Sequence, residues 1–143
     1  TAEDSTETRG FFIEDDGGFQ KPMEYWIGAM VFTPDAKMLI TGSRDNTIRF
    51  FEMPTMNELR VVRGHNGWVR SLVVSPDGKV LISAGDDNTI RFWDIATGRN
   101  FRTDKTHGGA VRGIALSPDG LRLASASWDR TVKLWEGGVE PAE

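Results

Sequence analysis

Two sets of serine, histidine and aspartate have the residue types that could perform chemistry. Their members are His65, Ser83 and Asp87 in one set and His107, Ser125 and Asp129 in the other. A hydrolase uses the serine as nucleophile, the histidine as base and the aspartate as the group that orients the histidine. The residue types alone are therefore compatible with nucleophilic catalysis.

The duplication of this set argues against catalysis. Each member of the second set lies 42 residues after its counterpart, whereas a catalytic constellation is normally unique to one site. A tryptophan, Trp93 or Trp135, accompanies each set, and its indole N–H can only donate a hydrogen bond. Buried polar groups stabilise a fold when they satisfy one another. We therefore interpret the two sets as structural hydrogen-bond networks and predict that the protein is not an enzyme.

Metal and cofactor sites are not indicated by the sequence. The chain has 2 His and 0 Cys, and the histidines lie far apart without a third ligand pattern. The glycines occur at turns and form no phosphate-binding loop. We predict no metal and no cofactor. The lack of cysteine excludes a disulfide framework and is compatible with any redox compartment, of which the cytoplasm is favoured.

The negative charge of the chain is concentrated at its N-terminus. The formal net charge is −4, but residues 1–16 hold six acidic side chains and one basic one, so the remaining residues carry about +1. Residues 1–9 are predicted to be an acidic disordered tail. The near-neutral remainder lacks the basic footprint of a nucleic-acid-binding protein. No apolar run approaches the roughly 18 residues of a membrane span, so we predict neither nucleic-acid nor membrane partners.

The elements that must position the two networks recur with a period of 42 residues. Residues 65–94 and 107–136 are identical at 14 of 30 positions, and residues 23–52 and 65–94 at 13 of 30, without insertions. A turn tripeptide marks each unit: Pro34-Asp35-Ala36, Pro76-Asp77-Gly78 and Pro118-Asp119-Gly120. In the second unit, the pattern predicts strands over 68–74, 80–84, 89–93 and 100–103, joined by turns. Apolar residues at consecutive positions, as in 72–74, are typical of strands buried on both faces.

The markers Gly64-His65 and Trp93-Asp94 within this period resemble those of the WD-repeat family. The resemblance implies an all-β fold of three four-stranded antiparallel β-propeller blades that do not close a ring in one chain. It places blade 1 at 23–64, blade 2 at 65–106 and blade 3 at 107–143, the last without its outer strand. Residues 10–22 are then an N-terminal strand segment that can complete another blade.

The same resemblance assigns a role to the repeated polar residues. In the family, a His, a Ser or Thr, an Asp and a Trp of one unit form a buried network, which here corresponds to His65, Ser83, Asp87 and Trp93 and to His107, Ser125, Asp129 and Trp135. The first unit departs from the pattern, since Met23 replaces the His and Phe51 replaces the Trp. We expect this degenerate blade to be locally weaker.

The resemblance also predicts which residues lie on the exposed rim of the propeller. The residue before each network Asp and the residue three after each network His give Arg44, Asp86, Trp128, Trp26, Trp68 and Ala110. Trp128 is the strongest candidate for partner binding, because a tryptophan in a tight polar turn has no core to fill. Trp26 and Trp68 have the alternative of packing at the start of the innermost strand. Arg70 and Arg112 either line the channel or bond carbonyls between blades.

Three blades are too few for a closed propeller, which typically has about four to eight. We therefore predict a protein-interaction scaffold that binds a protein partner or further copies of itself. Two copies would give six blades and three would give nine, and the usual size range favours two. In that arrangement Phe11 to Ile13 would complete blade 3 of the other copy. Two alternatives remain open: a C-terminal fragment of a longer WD-repeat regulatory protein, and a propeller with a small-molecule or hydrolytic site in its channel.

Overall fold

The computed structural model describes residues 20–138, in which all regular structure is β-strand. The strands are β1 (Ile27–Phe32), β2 (Met38–Ser43), β3 (Thr47–Glu52), β4 (Asn57–Arg63), β5 (Val69–Val74), β6 (Val80–Gly85), β7 (Ile90–Asp94), β8 (Asn100–Asp104), β9 (Val111–Leu116), β10 (Arg122–Ser127) and β11 (Val132–Glu136). The predicted all-β class is confirmed. The expected tail at 1–9 and the strand at Phe11 to Ile13 lie outside the described residues.

The strands form three antiparallel sheets in chain order, and they do not close a ring within residues 20–138. Sheet 1 has the order β1-β2-β3-β4 and sheet 2 the order β5-β6-β7-β8. Sheet 3 has the order β9-β10-β11, so its strand count in the described part of the chain is three rather than four. Within a sheet, each strand pairs with the next one along the chain, so the hairpin turns lie at the two ends of the sheet.

The turn between the first two strands of each sheet, Ser-Pro-Asp-Gly in sheets 2 and 3 and Thr-Pro-Asp-Ala in sheet 1, is held by its own side chains. In sheet 2, the Ser75 hydroxyl donates to Oδ1 of Asp77 (2.6 Å), and the same carboxylate oxygen accepts from the backbone N–H of Lys79 (3.0 Å). The Val80 N–H donates to the Ser75 hydroxyl (3.0 Å), which closes the hairpin. Serine and aspartate favour turns because they offer the backbone such local bonds. The turn is therefore specified by adjacent residues.

Two hydrophobic cores hold the three sheets together, one at each junction. The core between sheets 1 and 2 contains Ile40, Ile48, Phe50, Val62, Val69, Leu72, Leu81, Trp93 and Ile95. The core between sheets 2 and 3 contains Val80, Ile82, Ala84, Ile90, Phe92, Val111 and Leu123. We call the face of a sheet toward the preceding sheet its leading face and the opposite one its trailing face. Sheet 2 contributes to both cores, so both of its faces are buried.

The alternation of side chains along a strand explains how sheet 2 serves both cores. Strand β6 is buried at every position, with Leu81 directed toward sheet 1 and Ile82 toward sheet 3. The neighbouring strand places Trp93 in the first core and Phe92 in the second. Successive side chains of a strand point to opposite faces, so an uninterrupted apolar run is required here.

Polar contacts across the sheet junctions fix the relative position of the sheets. The Arg60 guanidinium in β4 donates to the carbonyls of Ile95 (2.8 Å) and Ala96 (3.0 Å) in sheet 2. The Ile114 N–H of β9 donates to the hydroxyl of Ser71 in β5 (3.1 Å). The bonds to Ile95 and from Ile114 pair backbone groups that are partly buried at the junctions.

A matched pair of turn glycines tests how closely the sheets pack. Gly78 and Gly120 hold equivalent turns with φ of 76° and 75°. A Cβ at Gly120 would lie 2.9 Å from Cδ of Pro76, whereas a Cβ at Gly78 would lie 3.6 Å from Cδ of Pro34. Both alanine substitutions incur about 1 kcal/mol of backbone strain. We expect Gly120→Ala to cost about 1 kcal/mol more than Gly78→Ala in urea unfolding; equal costs would contradict the close packing at Pro76.

Candidate functional site

The serine, histidine and aspartate of sheet 2 form a continuous hydrogen-bonded network with Trp93. The Trp93 indole N–H donates to Oγ of Ser83 (2.8 Å), and Oγ lies 2.6 Å from Nε2 of His65. On the other side of the imidazole, Nδ1 of His65 lies 3.1 Å from both carboxylate oxygens of Asp87. Every donor finds an acceptor when His65 is neutral with its proton on Nδ1 and the Ser83 hydroxyl donates to Nε2.

Burial separates this network from the chemistry of a hydrolase. Ser83 and the His65 side chain are fully buried, and Trp93 covers the serine within the core between sheets 1 and 2. A nucleophilic serine must reach a substrate carbonyl. The Ser83 hydroxyl instead accepts a hydrogen bond from the Trp93 indole and donates its proton to the His65 imidazole. The geometry therefore supports the structural interpretation of this set.

Asp87 anchors the network to the backbone at the end of sheet 2. Burial by itself raises the pKa of Asp87, but hydrogen bonds from His65 and from the backbone N–H of Asn66 outweigh burial and lower the pKa well below its usual value of 3.8. Asp87 also accepts from the Thr89 hydroxyl (2.8 Å). The carboxylate thus stays ionised and ties the loop before β5 to the turn between β6 and β7.

Sheet 3 repeats the network with a longer bond to the tryptophan. His107 lies 2.7 Å from Oγ of Ser125 and 2.8 Å from Oδ2 of Asp129. The Trp135 indole N–H is 3.4 Å from Ser125, compared with 2.8 Å for the equivalent contact in sheet 2. Hydrogen bonds from Thr131 and His107 lower the pKa of Asp129 below its usual value.

Sheet 1 lacks the network, as the replacements of His and Trp predicted. The hydroxyl of Thr41, which occupies the serine position, is buried without a hydrogen-bond partner. Phe51, at the tryptophan position, is fully buried and has the Lys21 ammonium 5.7 Å from its ring centre. Apolar burial therefore replaces polar bonding at the centre of this sheet.

Asp45 of sheet 1 is held by different partners from those of its equivalents. Burial raises its pKa, but hydrogen bonds from Ser43 and Thr47 and from the Arg49 guanidinium (3.1 Å) prevail and lower the pKa to about 2. Arg49 also lies 3.5 Å from the Glu58 carboxylate. In sheet 1, Arg49 thus supplies a contact to the turn aspartate, where histidine supplies it in sheets 2 and 3.

The six predicted rim residues lie at the same end of their sheets. In each sheet, one backbone hydrogen bond joins the two rim residues to each other. In sheet 1 the Arg44 N–H donates to the Trp26 carbonyl. The same bond joins Asp86 to the carbonyl of Trp68 and Trp128 to the carbonyl of Ala110, and all three bonds measure 2.9 Å. The loop before each inner strand is thereby fastened to the following tight turn, immediately beside the network aspartate.

Five of these six side chains, together with two arginines of the inner strands, form a continuous row across the three sheets, which we call the Trp–Arg ridge. Its members in order are Trp26, Arg44, Trp68, Arg70, Asp86, Arg112 and Trp128. The Arg44 guanidinium lies 5.3 Å from the Trp26 ring centre and 5.8 Å from that of Trp68. This arginine therefore connects sheet 1 to sheet 2 through cation–π contacts.

The second half of the ridge is built around Asp86. Arg70 stacks 3.6 Å from the ring centre of Trp68 and lies 3.0 Å from the Asp86 carboxylate. Arg112 of sheet 3 reaches the same carboxylate at 3.1 Å and stacks 3.8 Å from the ring centre of Trp128. Asp86 thus pairs with arginines from two sheets.

The structure distinguishes between the rim residues by exposure. Trp26 and Trp128, at the two ends of the ridge, are 68% and 67% exposed. Trp68 is half-buried and packs against the backbone of Gly28, where a Cβ would lie 2.5 Å from the indole nitrogen. The packing alternative therefore describes Trp68 better than Trp26.

Of the two sequence expectations for Arg70 and Arg112, the contacts bear on the one in which they bond carbonyls between sheets. In the contacts described for residues 20–138, each pairs with the Asp86 carboxylate and stacks on an indole, and neither bonds a carbonyl. Sequence reasoning missed these partners, although the repetition of the two arginines at a spacing of 42 was a usable signal.

Residues 20–138 contain no group of three or more His, Cys, Asp and Glu side chains arranged to hold a metal ion. The same part of the chain has no helix that is long and apolar enough to cross a membrane.

The repeats match a known family. The family model described as WD domain, G-beta repeat matches residues 21–52, 56–94 and 98–136. The chain belongs to the WD-repeat family. Each matched segment contains the first three strands of one sheet, and the second and third segments also contain the outer strand of the preceding sheet, β4 and β8. The expectation of three WD repeats is confirmed.

Two solved structures are similar to these WD repeats: one is described as the structure of U3-55K and the other as the crystal structure of RRP9 WD40 repeats. Each matches with a TM-score of 0.77 and 28% sequence identity over 81% of this chain. The match covers 37% of each of those chains, so this chain spans well under half of their length.

The serine position of the WD network gives a sharp test of its structural role. Ser83→Ala leaves the His65 and Trp93 ring nitrogens buried without their common partner, and we expect a loss of about 2 kcal/mol in the free energy of unfolding. Thr41→Val at the equivalent position of sheet 1 removes a hydroxyl that has no partner, so we expect it to be neutral or stabilising. Urea unfolding of both variants measures the contrast, and equal destabilisation would contradict the proposed difference between the sheets.

Proposed function

We propose that this WD-repeat chain is a non-enzymatic scaffold that binds a protein partner through the Trp–Arg ridge. The observation that carries the proposal is the exposure of Trp26 and Trp128 at the two ends of one continuous row of side chains. Tryptophan and arginine are the residue types most enriched at binding hot spots. Large indoles kept in solvent on a rigid support are suited to burial by a partner.

The ridge is supported from below by the buried networks, which favours a recognition role over a mobile loop. The network aspartates Asp87 and Asp129 directly follow the ridge residues Asp86 and Trp128 in the chain. Both aspartates bond the backbone of the opposite loop, at Asn66 and Gly108. A surface held in this way loses little conformational freedom on binding.

Substitution of Trp128 tests the scaffold proposal. We expect Trp128→Ala to fold normally, because the side chain is exposed, and to weaken binding of the partner by about thirtyfold or more, as for a hot-spot residue. The measurement compares proteins retained quantitatively by immobilised wild-type chain and variant. Leu121→Ala, an exposed apolar residue in the turn at the opposite end of sheet 3, is the matched control. Retention of the same proteins at the same levels by Trp128→Ala and by Trp26→Ala would sink the proposal.

We also propose that further sheets complete the propeller ring by packing on the two outer faces of the stack, the leading face of sheet 1 and the trailing face of sheet 3. The apolar residues of β3 and β7 on the trailing faces of sheets 1 and 2 are buried. In sheet 2 they are Ile90, which is 1% exposed, and Phe92, which is 4% exposed. Their counterparts on sheet 3, Val132 and Leu134, are 74% and 65% exposed. Exposed apolar side chains at positions that are elsewhere core residues call for a further sheet to cover them.

We propose that a second copy of this chain supplies that sheet, joined head to tail. The trailing face of sheet 1 packs on the leading face of sheet 2, and sheet 2 packs on sheet 3 in the same way. On the leading face of sheet 1, Met30 and Phe32 are exposed. They are equivalent to Leu72 and Val74 of sheet 2, which pack in the core between sheets 1 and 2. Two copies give six sheets, within the usual range of about four to eight.

The outer edge of sheet 3 is part of the same proposal. Strands β3 and β7 each pair with an outer strand, whereas β11 has no outer partner among residues 20–138. We propose that the segment from Phe11 to Ile13 of the second copy adds to this edge, since its residues favour strands and main-chain bonds make such additions stable.

Mass in solution tests the self-association. By light scattering we expect the wild-type chain at about twice the monomer mass of 15.9 kDa, and Leu134→Glu, which places a charge in the proposed junction, at the monomer mass. Leu59→Glu, on the exposed outer strand of sheet 1, is the control and should stay associated. A stable wild-type monomer would contradict the proposal and favour blades supplied by a longer protein or another partner.

A further inference from the structure

We infer that the partner segment bound by the Trp–Arg ridge is acidic and that its carboxylates bind the ridge arginines. The inference rests on the proposed scaffold function and adds the chemistry of the partner to it. The ridge holds three arginines, Arg44, Arg70 and Arg112, against the single carboxylate of Asp86. Two positive charges are therefore in excess along this row of side chains.

Arg44 is the arginine best placed to receive a carboxylate. It is exposed and has no ion-pair partner among residues 20–138. Trp26 and Trp68 flank its guanidinium at 5.3 and 5.8 Å, and their ring centres are 6.3 Å apart. A guanidinium oriented by aromatic rings keeps its N–H donors available for bidentate bonding to a carboxylate.

Arg112 offers a second position for an acidic group. Its Nε lies 3.1 Å from Asp86, but the N–H is buried and makes no hydrogen bond of good geometry. Asp86 already receives aligned bonds from the Nε and Nη2 atoms of Arg70. Arg70 and Arg112 therefore share one carboxylate, to which only Arg70 makes aligned hydrogen bonds, and the charge of Arg112 is only partly compensated.

The exposed indoles strengthen the attraction of these arginines for an anion. Trp26 and Trp128 close the two ends of the ridge. A partner that covers both rings excludes water from the arginines between them, and ion pairs gain strength in a less polar environment. The ridge therefore combines apolar anchors at its ends with positive charge at its centre.

An acidic protein segment fits this surface better than a nucleic acid does. Outside residues 1–16 the chain carries a net charge of only about +1, and the ridge contributes an excess of two. Nucleic-acid binding derives its affinity from many phosphate contacts over a broad basic footprint. Two excess charges between indoles suit one or two carboxylates.

Binding of labelled model peptides to the full chain tests the inference by fluorescence anisotropy. The probes are short peptides in which glycine alternates with glutamate, glutamine or lysine, together with a single-stranded oligothymidylate. We expect the glutamate peptide to bind at least about tenfold more tightly than the other three. The binding should be lost at about 1 M salt, where the Debye length is about 3 Å.

A charge-matched pair of variants locates the binding on the ridge. We expect Arg44→Gln to weaken glutamate-peptide binding about tenfold, because one charge-assisted contact is lost. Arg99→Gln removes the same charge from the turn between β7 and β8, at the opposite end of sheet 2, and should leave binding unchanged. Equal effects of the two variants would overturn the inference, as would equal binding of the glutamine peptide, tighter binding of the lysine peptide or oligothymidylate, or no binding of the glutamate peptide.

The failure of this inference is distinguishable from failure of the scaffold proposal. If the glutamate peptide does not bind while Trp128→Ala still loses a retained protein, the ridge is a protein-binding surface and only the acidic chemistry is wrong. If Trp128→Ala loses nothing, the scaffold proposal itself fails.

Discussion

Burial of both faces of each sheet against neighbouring sheets is the constraint on which the rest of this structure depends. Sheet 2 meets it, because Leu81 and Trp93 pack toward sheet 1 while Ile82 and Phe92 pack toward sheet 3. A repeat that cannot bury its faces alone gains stability only from its neighbours. The same packing that makes the sheet stack stable therefore leaves apolar residues exposed wherever the stack ends, as at Leu134.

The polar networks link this packing to the surface that we propose binds a partner. Each network joins the core, through an indole such as Trp93, to an aspartate in the turn at the end of the sheet. That aspartate bonds the loop before the inner strand and so fixes the backbone from which the Trp–Arg ridge projects. Buried polar groups act here as positioning elements, because their bonds are directional whereas apolar packing is not. The residues that stabilise the sheets thus also support the proposed binding surface.

Much of the fold and part of the site were predictable from residue types and spacing. The period of 42 predicted the sheets, and the Ser-Pro-Asp-Gly turns depend only on adjacent residues such as Ser75 and Asp77. The loss of the network in the first unit also followed from Phe51 and Met23. The contacts of Arg70 and Arg112 were not predictable in this way. Both arginines pair with Asp86, and the pair with Arg112 joins two different sheets.

The sequence by itself determined the repeat, the strand order, the turns and the identity of the network residues, since all of these depend on local chemistry or on spacing within one unit. The tertiary structure decided which side chains meet across unit boundaries: Arg44 between Trp26 and Trp68, and Arg112 against Asp86. It also decided which apolar residues are core: Phe92 and Leu134 occupy equivalent positions, but within residues 20–138 only Phe92 has a neighbouring sheet packed against it. The physical reason is that burial and charge pairing are properties of neighbours in space, which a single repeat does not contain.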